Sequence, residues 1–386
     1  MMGIPGIFCL LFVPVLAIYG LIILAFTGGL LKRRSRNDLS SRQFTNFVSV
    51  IVPVRNEEGN ILRILDEIGS QDFPAAFMEV IVTDDYSEDE TVAFVNRYTS
   101  RDHHFPVVIV RPGSDEQGVG HTGKKRAIER AVEKARGEIL LFTDADTSRG
   151  PGWISSMVSC FRSPGIQMVL GPVCFSGEHN LLQKIQSLEF MGLMGTTAGS
   201  AALGFPVMCN GANLAYPRSA FYEAGGFSGN LRFGSGDDQF MMSAIRKKFG
   251  KGSLIFNDDP SSIVSTQAEA TLSGFFNQRI RWVSKSRGYR DPLVIIVGLI
   301  TYLTHFMLLA GMLVGFFFPS LLAISILFWL GKILVDYPMV WIMSRIFRKK
   351  NLAGYYFIAQ VFQLVYVTVA GLFGLFLTYR WKGRTG

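Results

Sequence analysis

The stretch Glu138 to Thr147, Glu-Ile-Leu-Leu-Phe-Thr-Asp-Ala-Asp-Thr, constrains this chain most. Ile139 to Phe142 is a short apolar run of the kind found in strands buried on both faces of a parallel sheet. It stops at two carboxylates, Asp144 and Asp146. Residues two apart on an extended chain point the same way, so these like charges repel unless something positive lies between them. A hard divalent cation meets that need. Mg²⁺ takes one or two protein carboxylates and fills its other positions with water and phosphate oxygens, and Mn²⁺ shares the preference for oxygen. In open α/β sheets, ligands bind outside the carboxyl ends of strands. The stretch therefore predicts a metal–diphosphate site, against solvated turn acids as the plain alternative.

The segments before and after repeat the pattern of strand, polar turn, helix. Val48 to Val54 reads as a strand broken by Pro53 and followed by Arg55-Asn56-Glu57-Glu58, with an amphipathic helix over Gly59 to Ser70. Glu79 to Thr83 is a second strand ending in Asp84-Asp85-Tyr86-Ser87, and Val107 to Val110 is a third. A glycine-rich loop (Gly113, Gly118, Gly120, Gly123) opens onto Lys124 and Lys125 at the start of a helix reaching about Ala135. Such a helix start can cradle phosphate, or the lysines can be solvated; the P-loop spacing fails because Lys125 stands where Ser or Thr should. This alternation implies βαβ units and a mostly parallel sheet. Further on, Cys209-Asn210-Gly211-Ala212-Asn213 is a small-residue turn, and Gly234-Ser235-Gly236 precedes the pair Asp237-Asp238. One of those acids suits a general base, or the pair acidifies a helix start. Arg281 and Trp282, in Gln278-Arg279-Ile280-Arg281-Trp282, either flank a membrane or hold a diphosphate and wall an acceptor site.

The chain is 49% hydrophobic with a mean hydropathy of +0.28. That is too apolar for an ordinary soluble protein and too charged for a pure membrane bundle. Ile4 to Leu31 is long enough to span about 30 Å of hydrocarbon, and Lys32, Arg33, Arg34 and Arg36 follow at once. The positive-inside rule then puts the next domain in the cytoplasm, at a plasma (inner) membrane. Further spans are expected at Leu293–Phe318, Leu321–Met343 and Ala353–Tyr379, with a cytoplasmic reversal at Arg345, Arg348, Lys349 and Lys350. With four spans, Arg380, Lys382 and Arg384 fall on the opposite side from the one they prefer. Lys332 and Asp336 sit mid-span at i,i+4 and can pair; a lone charge there costs about 2.5–3.5 kcal/mol by insertion scales. Leu181 to Leu203 is either an interfacial helix, the favoured reading, or a core helix. The net charge of +8 lies mostly beside apolar segments, which favours an anionic membrane surface and no nucleic-acid partner. Cys9, Cys160, Cys174 and Cys209 lack metal spacing and read as reduced thiols.

Taken together, Val52-Pro53-x-Arg55-Asn56-Glu57, Asp84-Asp85-x-Ser87, Gly123-Lys124-Lys125, Asp144-x-Asp146, Gly236-Asp237-Asp238 and Gln278-x-x-Arg281-Trp282 resemble the membrane-anchored family 2 glycosyltransferases with a GT-A domain. The resemblance runs from about Val48 to Trp282. It implies an α/β GT-A domain with transmembrane helices at both ends, divided as an anchor (1–31), a basic linker (32–47), a cytoplasmic catalytic domain (48–290) and a C-terminal membrane region of about three helices (291–386). It further implies inverting transfer from a nucleotide-diphospho-sugar, often a UDP-sugar, to a lipid or glycan acceptor. Pro53, Arg55, Glu57, Asp84, Asp85, Lys124, Asp144 and Arg281 would then bind the donor. Asp146 and Asp144 would hold Mg²⁺ or Mn²⁺, Asp238 would be the catalytic base with Asp237 as its rival, and Gln278 and Trp282 would contact the acceptor. The chain departs from the family at Arg55, where Tyr is common, in Gly-Asp-Asp for Thr-Glu-Asp, and in its few spans. The last motif occurs in polysaccharide-extending members and in ceramide-glucosyltransferase-like enzymes, so it leaves single and repeated transfer both open. A catalytically inactive membrane partner binding nucleotide or glycan is the reading from another class.

Overall fold

The computed structural model describes residues 3–32, 46–100, 104–111, 123–229, 236–374, 376–378, 380–381 and 384–385. Arg33, Arg34, Arg36, most of the linker, Gly113, Gly118, Gly120, Gly234, Ser235 and Lys382 lie outside them. In chain order the elements are α1 (Ile4–Lys32), β1 (Val48–Val54), α2 (Ile61–Gly69), β2 (Met78–Asp84), α3 (Thr91–Thr99), β3 (Val107–Val110), α4 (Gly123–Lys134) and β4 (Ile139–Phe142). Next come β5 (Ser148–Arg149), α5 (Trp153–Ser159), β6 (Met168–Leu170), β7 (Val173–Ser176), α6 (Leu181–Ala202), β8 (Leu214–Pro217), α7 (Arg218–Glu223) and α8 (Asp237–Phe249). The last are β9 (Leu254–Phe256), β10 (Val264–Gln267), α9 (Leu272–Ser284), α10 (Pro292–Gly315), α11 (Pro319–Ile346) and α12 (Tyr356–Phe373). Contacts divide the chain into a sheet unit and a helical unit. Residues 177–203 and 268–290, which the linear reading leaves inside 48–290, group with the helices.

The sheet unit is built on seven strands in the order β3-β2-β1-β4-β8-β6-β9. β1 pairs in parallel with β2, Val48 with Met78 through Val54 with Asp84, and on its other side with β4, Val48 with Ile139 through Ile51 with Phe142. The chain moves outward from β1 to β3 and then returns to β4 on the opposite side of β1. That reversal is the switch point at which α/β sheets bind ligands. β8 is antiparallel to both β4 and β6, and β5, β10 and β7 form a second, three-stranded sheet. Pro53 does not break β1 as the sequence suggests. The β1–β4 ladder ends at Ile51, so the missing N–H of Pro53 falls beyond it. On α2, Ile61, Ile64, Leu65 and Ile68 form the buried stripe that packs the helix on the sheet's core with Val50, Val52, Val80 and Trp153.

Among the described residues, four segments of the helical unit are long and apolar enough to cross a membrane: Ile4–Lys32, Pro292–Gly315, Pro319–Ile346 and Lys350–Phe373. Pro319 is the first residue of α11, where its missing N–H has no intrahelical role. α6 takes the core alternative rather than the interfacial one. It opens with an Asn180/Gln183 capping box and buries Met191, Met194 and Ala198 within the unit. Small residues let it approach α1 and α11 closely. A Cβ on Gly199 would meet the Phe26 carbonyl oxygen at 2.1 Å, and one on Gly195 would meet Met339 Cγ at 2.4 Å. The Lys332–Asp336 pair forms at 3.0 Å. Lys332 Nζ also donates to Gln360 Oε1 (2.7 Å) and Gln363 Oε1 (2.6 Å), and Tyr19 donates to Asp336 Oδ1 (2.8 Å).

Overpacking of a close backbone contact costs about 1–3 kcal/mol. Gly199→Val is therefore expected to lower the thermal midpoint of the detergent-solubilised protein by several degrees. Gly298→Val, where nothing lies within 4 Å of the added Cβ, is the control. Equal midpoints for the two variants would contradict the α1–α6 packing.

Candidate active site

The sheet unit gathers its polar residues at the carboxyl ends of β1, β2 and β4. The turns after β1 and β2 are laced together. Arg55, buried at 5% exposure, donates through Nη1 to the carbonyls of Asp85 (2.7 Å) and Tyr86 (2.9 Å) and through Nη2 to Glu88 (3.0 Å). Asn56 Oδ1 accepts from the Glu88 N–H (2.8 Å), and the Glu57 N–H donates to Thr91 Oγ1 (2.7 Å). Asn56 and Tyr86 have φ of 51° and 56°, a left-handed conformation that these hydrogen bonds hold in place. Arg55 thus acts on the protein's own backbone. Asp84 is likewise engaged, with Oδ2 on Arg111 Nε (3.0 Å) and Oδ1 on the Ser87 N–H (3.1 Å). Glu57, Asp84 and Asp85 are all buried.

The turn after β4 carries Asp144, partly exposed, and Asp146, exposed. Thr147 Oγ1 donates to the Asp144 carbonyl (2.6 Å), while Arg63 Nη1 and Arg149 Nη2 each donate to the Thr147 carbonyl at 2.9 Å. Burial pulls the Arg149 pKa down to about 10, against the opposing pull of Glu67, so it stays charged at neutral pH. Both aspartates offer only oxygen donors from one turn. Among the described residues no group of three His, Cys, Asp or Glu side chains forms a closed metal cage. A two-carboxylate, partly open set fits a hard cation that shares its coordination with phosphate oxygens.

α4 and α8 complete the site. Lys124 Nζ lies 3.1 Å from Asp144 Oδ1 and 3.8 Å from Asp237 Oδ2. Burial would lower its pKa, but Asp144, Asp237 and Asp238 outweigh burial and hold it above its ordinary value. Its neighbour Lys125 points away, fully buried with its ammonium 4.5 Å from the Phe240 ring centroid. The phosphate-cradle expectation therefore narrows to Lys124. α8 begins at Gly236, whose φ of 84° suits glycine, so that Asp237 and Asp238 occupy its first turn. Asp238 Oδ1 accepts from the Gln239 N–H (2.8 Å) and Oδ2 from the Gly211 N–H (3.1 Å). Pro53, Lys124, Gly211, Tyr216, Asp237 and Asp238 line one pocket. Burial raises the Tyr216 pKa well above its usual value, with Asp237 adding to it, so the phenol stays neutral.

Gln278, Arg281 and Trp282 lie on α9, in the helical unit. Gln278 and Trp282 are one turn apart on the same helix face. Gln278 Nε2 reaches Glu269 Oε1 at 3.5 Å, and its buried Oε1 has no hydrogen-bond partner.

The sequence model of glycosyl transferase family 21 matches residues 12–384. The chain belongs to that family. Its motifs resemble family 2 enzymes of the same GT-A fold; family 21 is the membership that the match shows. Among relatives, it is similar to an N-acetylglucosaminyltransferase of Bradyrhizobium diazoefficiens, 28% identical over 307 residues, 76% of this chain and 59% of that protein. It is also similar to one of Rhizobium meliloti, 26% identical over 256 residues, 64% of this chain and 57% of that protein. The family 21 chain thus spans less than two thirds of the length of these relatives. Among solved structures, a mannosyltransferase from Pyrobaculum calidifontis, in complex with GDP-mannose and Mn²⁺, matches with a TM-score of 0.58 at 19% identity. That match covers 93% of this chain and 97% of the other, and the shared fold is the GT-A glycosyltransferase fold.

Sequence reasoning missed the residues that hold the site's loops. Asn213 is 1% exposed. Its Nδ2 donates to the carbonyls of Pro172 and Ser262, both at 2.8 Å, and its Oδ1 accepts from Trp153 Nε1 (2.9 Å). These bonds anchor the turn that presents the Gly211 N–H to Asp238. A buried polar group stranded without its partner costs about 1–3 kcal/mol. Asn213→Ala strands three, so unfolding of the family 21 chain should come several degrees earlier by scanning fluorimetry. An unchanged midpoint would mean that the turn does not depend on this side chain.

Proposed function

We propose that the chain is an inverting glycosyltransferase of a cytoplasm-facing membrane protein, moving a sugar from a nucleotide-diphospho-sugar to a membrane lipid or lipid-linked acceptor. The observation that carries this reading is Lys124, which lines one pocket with Asp237 and Asp238 at the sheet's switch point and pairs with Asp144 after β4. That arrangement sets a fixed cation beside a candidate base and ties it to one of the oxygen donors. The names of the relatives, the GT-A fold and the nucleotide-sugar complex of the Pyrobaculum mannosyltransferase support the same class. Arg345, Arg348, Lys349 and Lys350 at one helix reversal support the orientation.

In this reading the acceptor hydroxyl attacks the anomeric carbon in line, on the face opposite the diphosphate. The new C–O bond forms as the bond to the diphosphate oxygen breaks, and the configuration inverts. Asp238 takes the hydroxyl proton. Its two backbone hydrogen bonds hold the carboxylate in place. Lys124 turns from Asp144 toward the diphosphate and offsets its charge. Asp146 and Asp144 would hold Mg²⁺ or Mn²⁺, which supplies charge neutralisation for the leaving nucleoside diphosphate. Gln278 and Trp282 would bind the acceptor, and Arg281 the diphosphate. Pro53, Glu57, Asp84 and Asp85 shape the nucleotide side of the pocket, and Arg55 acts through the turns it clamps.

The test is direct. Detergent-purified protein is incubated with Mn²⁺ or Mg²⁺, a panel of UDP-N-acetylglucosamine, UDP-glucose and GDP-mannose, and a total lipid extract, and the products are weighed by mass spectrometry. A single sugar mass added to a lipid supports the proposal. A ladder of additions moves the chain to polymer synthesis. No product and no released nucleotide leaves the inactive-partner reading. Asp238→Asn should cut turnover about 10²–10⁴-fold, the usual contribution of a positioned base, with nucleotide binding retained. Full turnover in that variant would remove the base assignment. Lys124→Met loses a charge-assisted hydrogen bond of about 1.5–3 kcal/mol, so donor KM should rise at least about tenfold. Chelation by EDTA should stop turnover, and added Mn²⁺ should restore it.

A further inference from the structure

Arg279 stands inside the motif Gln278 to Trp282, at a position to which the motif reading gives no role. It is the most buried charged residue of α9, at 3% exposure. Its guanidinium carbon lies 4.1 Å from the Trp282 ring centroid, 4.9 Å from that of Phe275 and 5.8 Å from that of Tyr366. Its Nη2 donates to Glu189 Oε2 on α6. The other oxygen of that carboxylate, Oε1, accepts from the Tyr366 hydroxyl on α12. Arg279 Nε and Nη1 have no hydrogen-bond partner. A planar cation desolvated among π faces is held both by the rings and by its carboxylate.

We propose that Arg279, Glu189 and Tyr366 form a positioning assembly that fixes the ring of Trp282 and so sets how well the acceptor competes with water for the sugar. This rests on the reading of Gln278 and Trp282 as acceptor residues. Three elements converge on one guanidinium, and that guanidinium lies over the Trp282 ring. Arg279 lies over the Trp282 ring and Phe190 packs against it at 6.2 Å between centroids, while Trp282 itself stays only part-buried, so part of the indole remains for a ligand. Gln278 lies on the same helix face as Trp282, and its buried Oε1 has no hydrogen-bond partner. Both oxygens of Glu189 are committed, which excludes it as a base and leaves it the task of orienting Arg279. Tyr366 belongs to a segment long and apolar enough to cross a membrane. The ring that meets the acceptor is thereby tied to a helix that meets lipid.

The experiment uses the full chain in detergent micelles with a total lipid extract and the donor found active in the panel above. Arg279→Lys keeps the charge and the link to Glu189 but loses the planar stack. The readout is the ratio of sugar transferred to lipid over sugar released to water. A stacked cation at a desolvated site is worth about a factor of ten. The ratio should fall roughly tenfold in Arg279→Lys, with total donor cleavage nearly unchanged. Glu189→Gln, close to isosteric, should move it in the same direction by less. A residue that merely holds the fold would lower transfer and hydrolysis together, and that result, or an unchanged ratio, overturns the proposal. Trp282→Phe separates the two readings: if it leaves the ratio intact, the acceptor assignment fails rather than the assembly. An independent arm needs no substrate. Arg279→Lys should increase acrylamide quenching of tryptophan emission in the otherwise native chain and leave it unchanged in a Trp282→Phe background. Quenching that rises equally in both backgrounds overturns the stack.

Discussion

One ammonium group holds the candidate site together. Lys124 reaches Asp144 after β4 and Asp237 at the start of α8, with Asp238 also acting on it electrostatically. Without a cation among them, these carboxylates would repel across a partly buried pocket, where charge is poorly screened. The chain meets this by starting α4 beside the ends of β1 and β4, so that the first turn of that helix delivers Lys124. Removing one partner of a buried ionic set costs more than the set contributes when whole, because the others are left uncompensated. The site therefore reads as a preassembled charge balance. Binding of an anionic diphosphate with its metal would exchange partners within that balance without first creating it.

How much of this was legible in the sequence follows from which residues report their own environment. Val107 to Val110 and Ile139 to Phe142 are apolar runs closed by polar residues, and both are strands with the expected bounds. Asp144 and Asp146 were legible as acids of the turn that ends β4, which is where the structure has them. Lys124 and Lys125 could not be told apart. They are neighbours on a helix, about 100° apart, and only the presence of Phe240 behind the helix decides which one is buried on a ring. Arg55 looked like an anion binder, since the sequence shows a cation and not the two carbonyls that claim it. Asn213 gave no signal at all, because its three partners come from three separate segments. The grouping of residues 177–203 with the helices was hidden for the same reason. It depends on Gly195 and Gly199 meeting partners far away in the chain.

The helical unit must pair polar groups away from water, and two of its networks show how. Lys332 is met by Asp336, Gln360 and Gln363, and Asp336 by Tyr19. Three of the segments that could cross a membrane contribute to this one network. A mid-span lysine alone would oppose insertion, whereas a lysine with three partners specifies which helices must lie together and in what register. That is specificity gained at little or no net stability. It also explains why the unit tolerates weak amphipathic patterning: polar matching and glycine contacts, rather than an apolar stripe, choose the neighbours.

The second of these networks is the Arg279–Glu189–Tyr366 cluster, and its composition differs in a telling way. Lys332 is surrounded by oxygens, as a point charge that needs only neutralisation would be. Arg279 lies over three aromatic rings and meets one carboxylate, as a planar cation used for orientation would. A lysine at 279 could satisfy Glu189 but could not lie flat against Trp282, and an arginine at 332 would have its fork unmatched among separate amide oxygens. The two buried cations thus use different chemistry for different tasks. One selects helix neighbours in a lipid-facing core; the other fixes an aromatic side chain whose orientation matters.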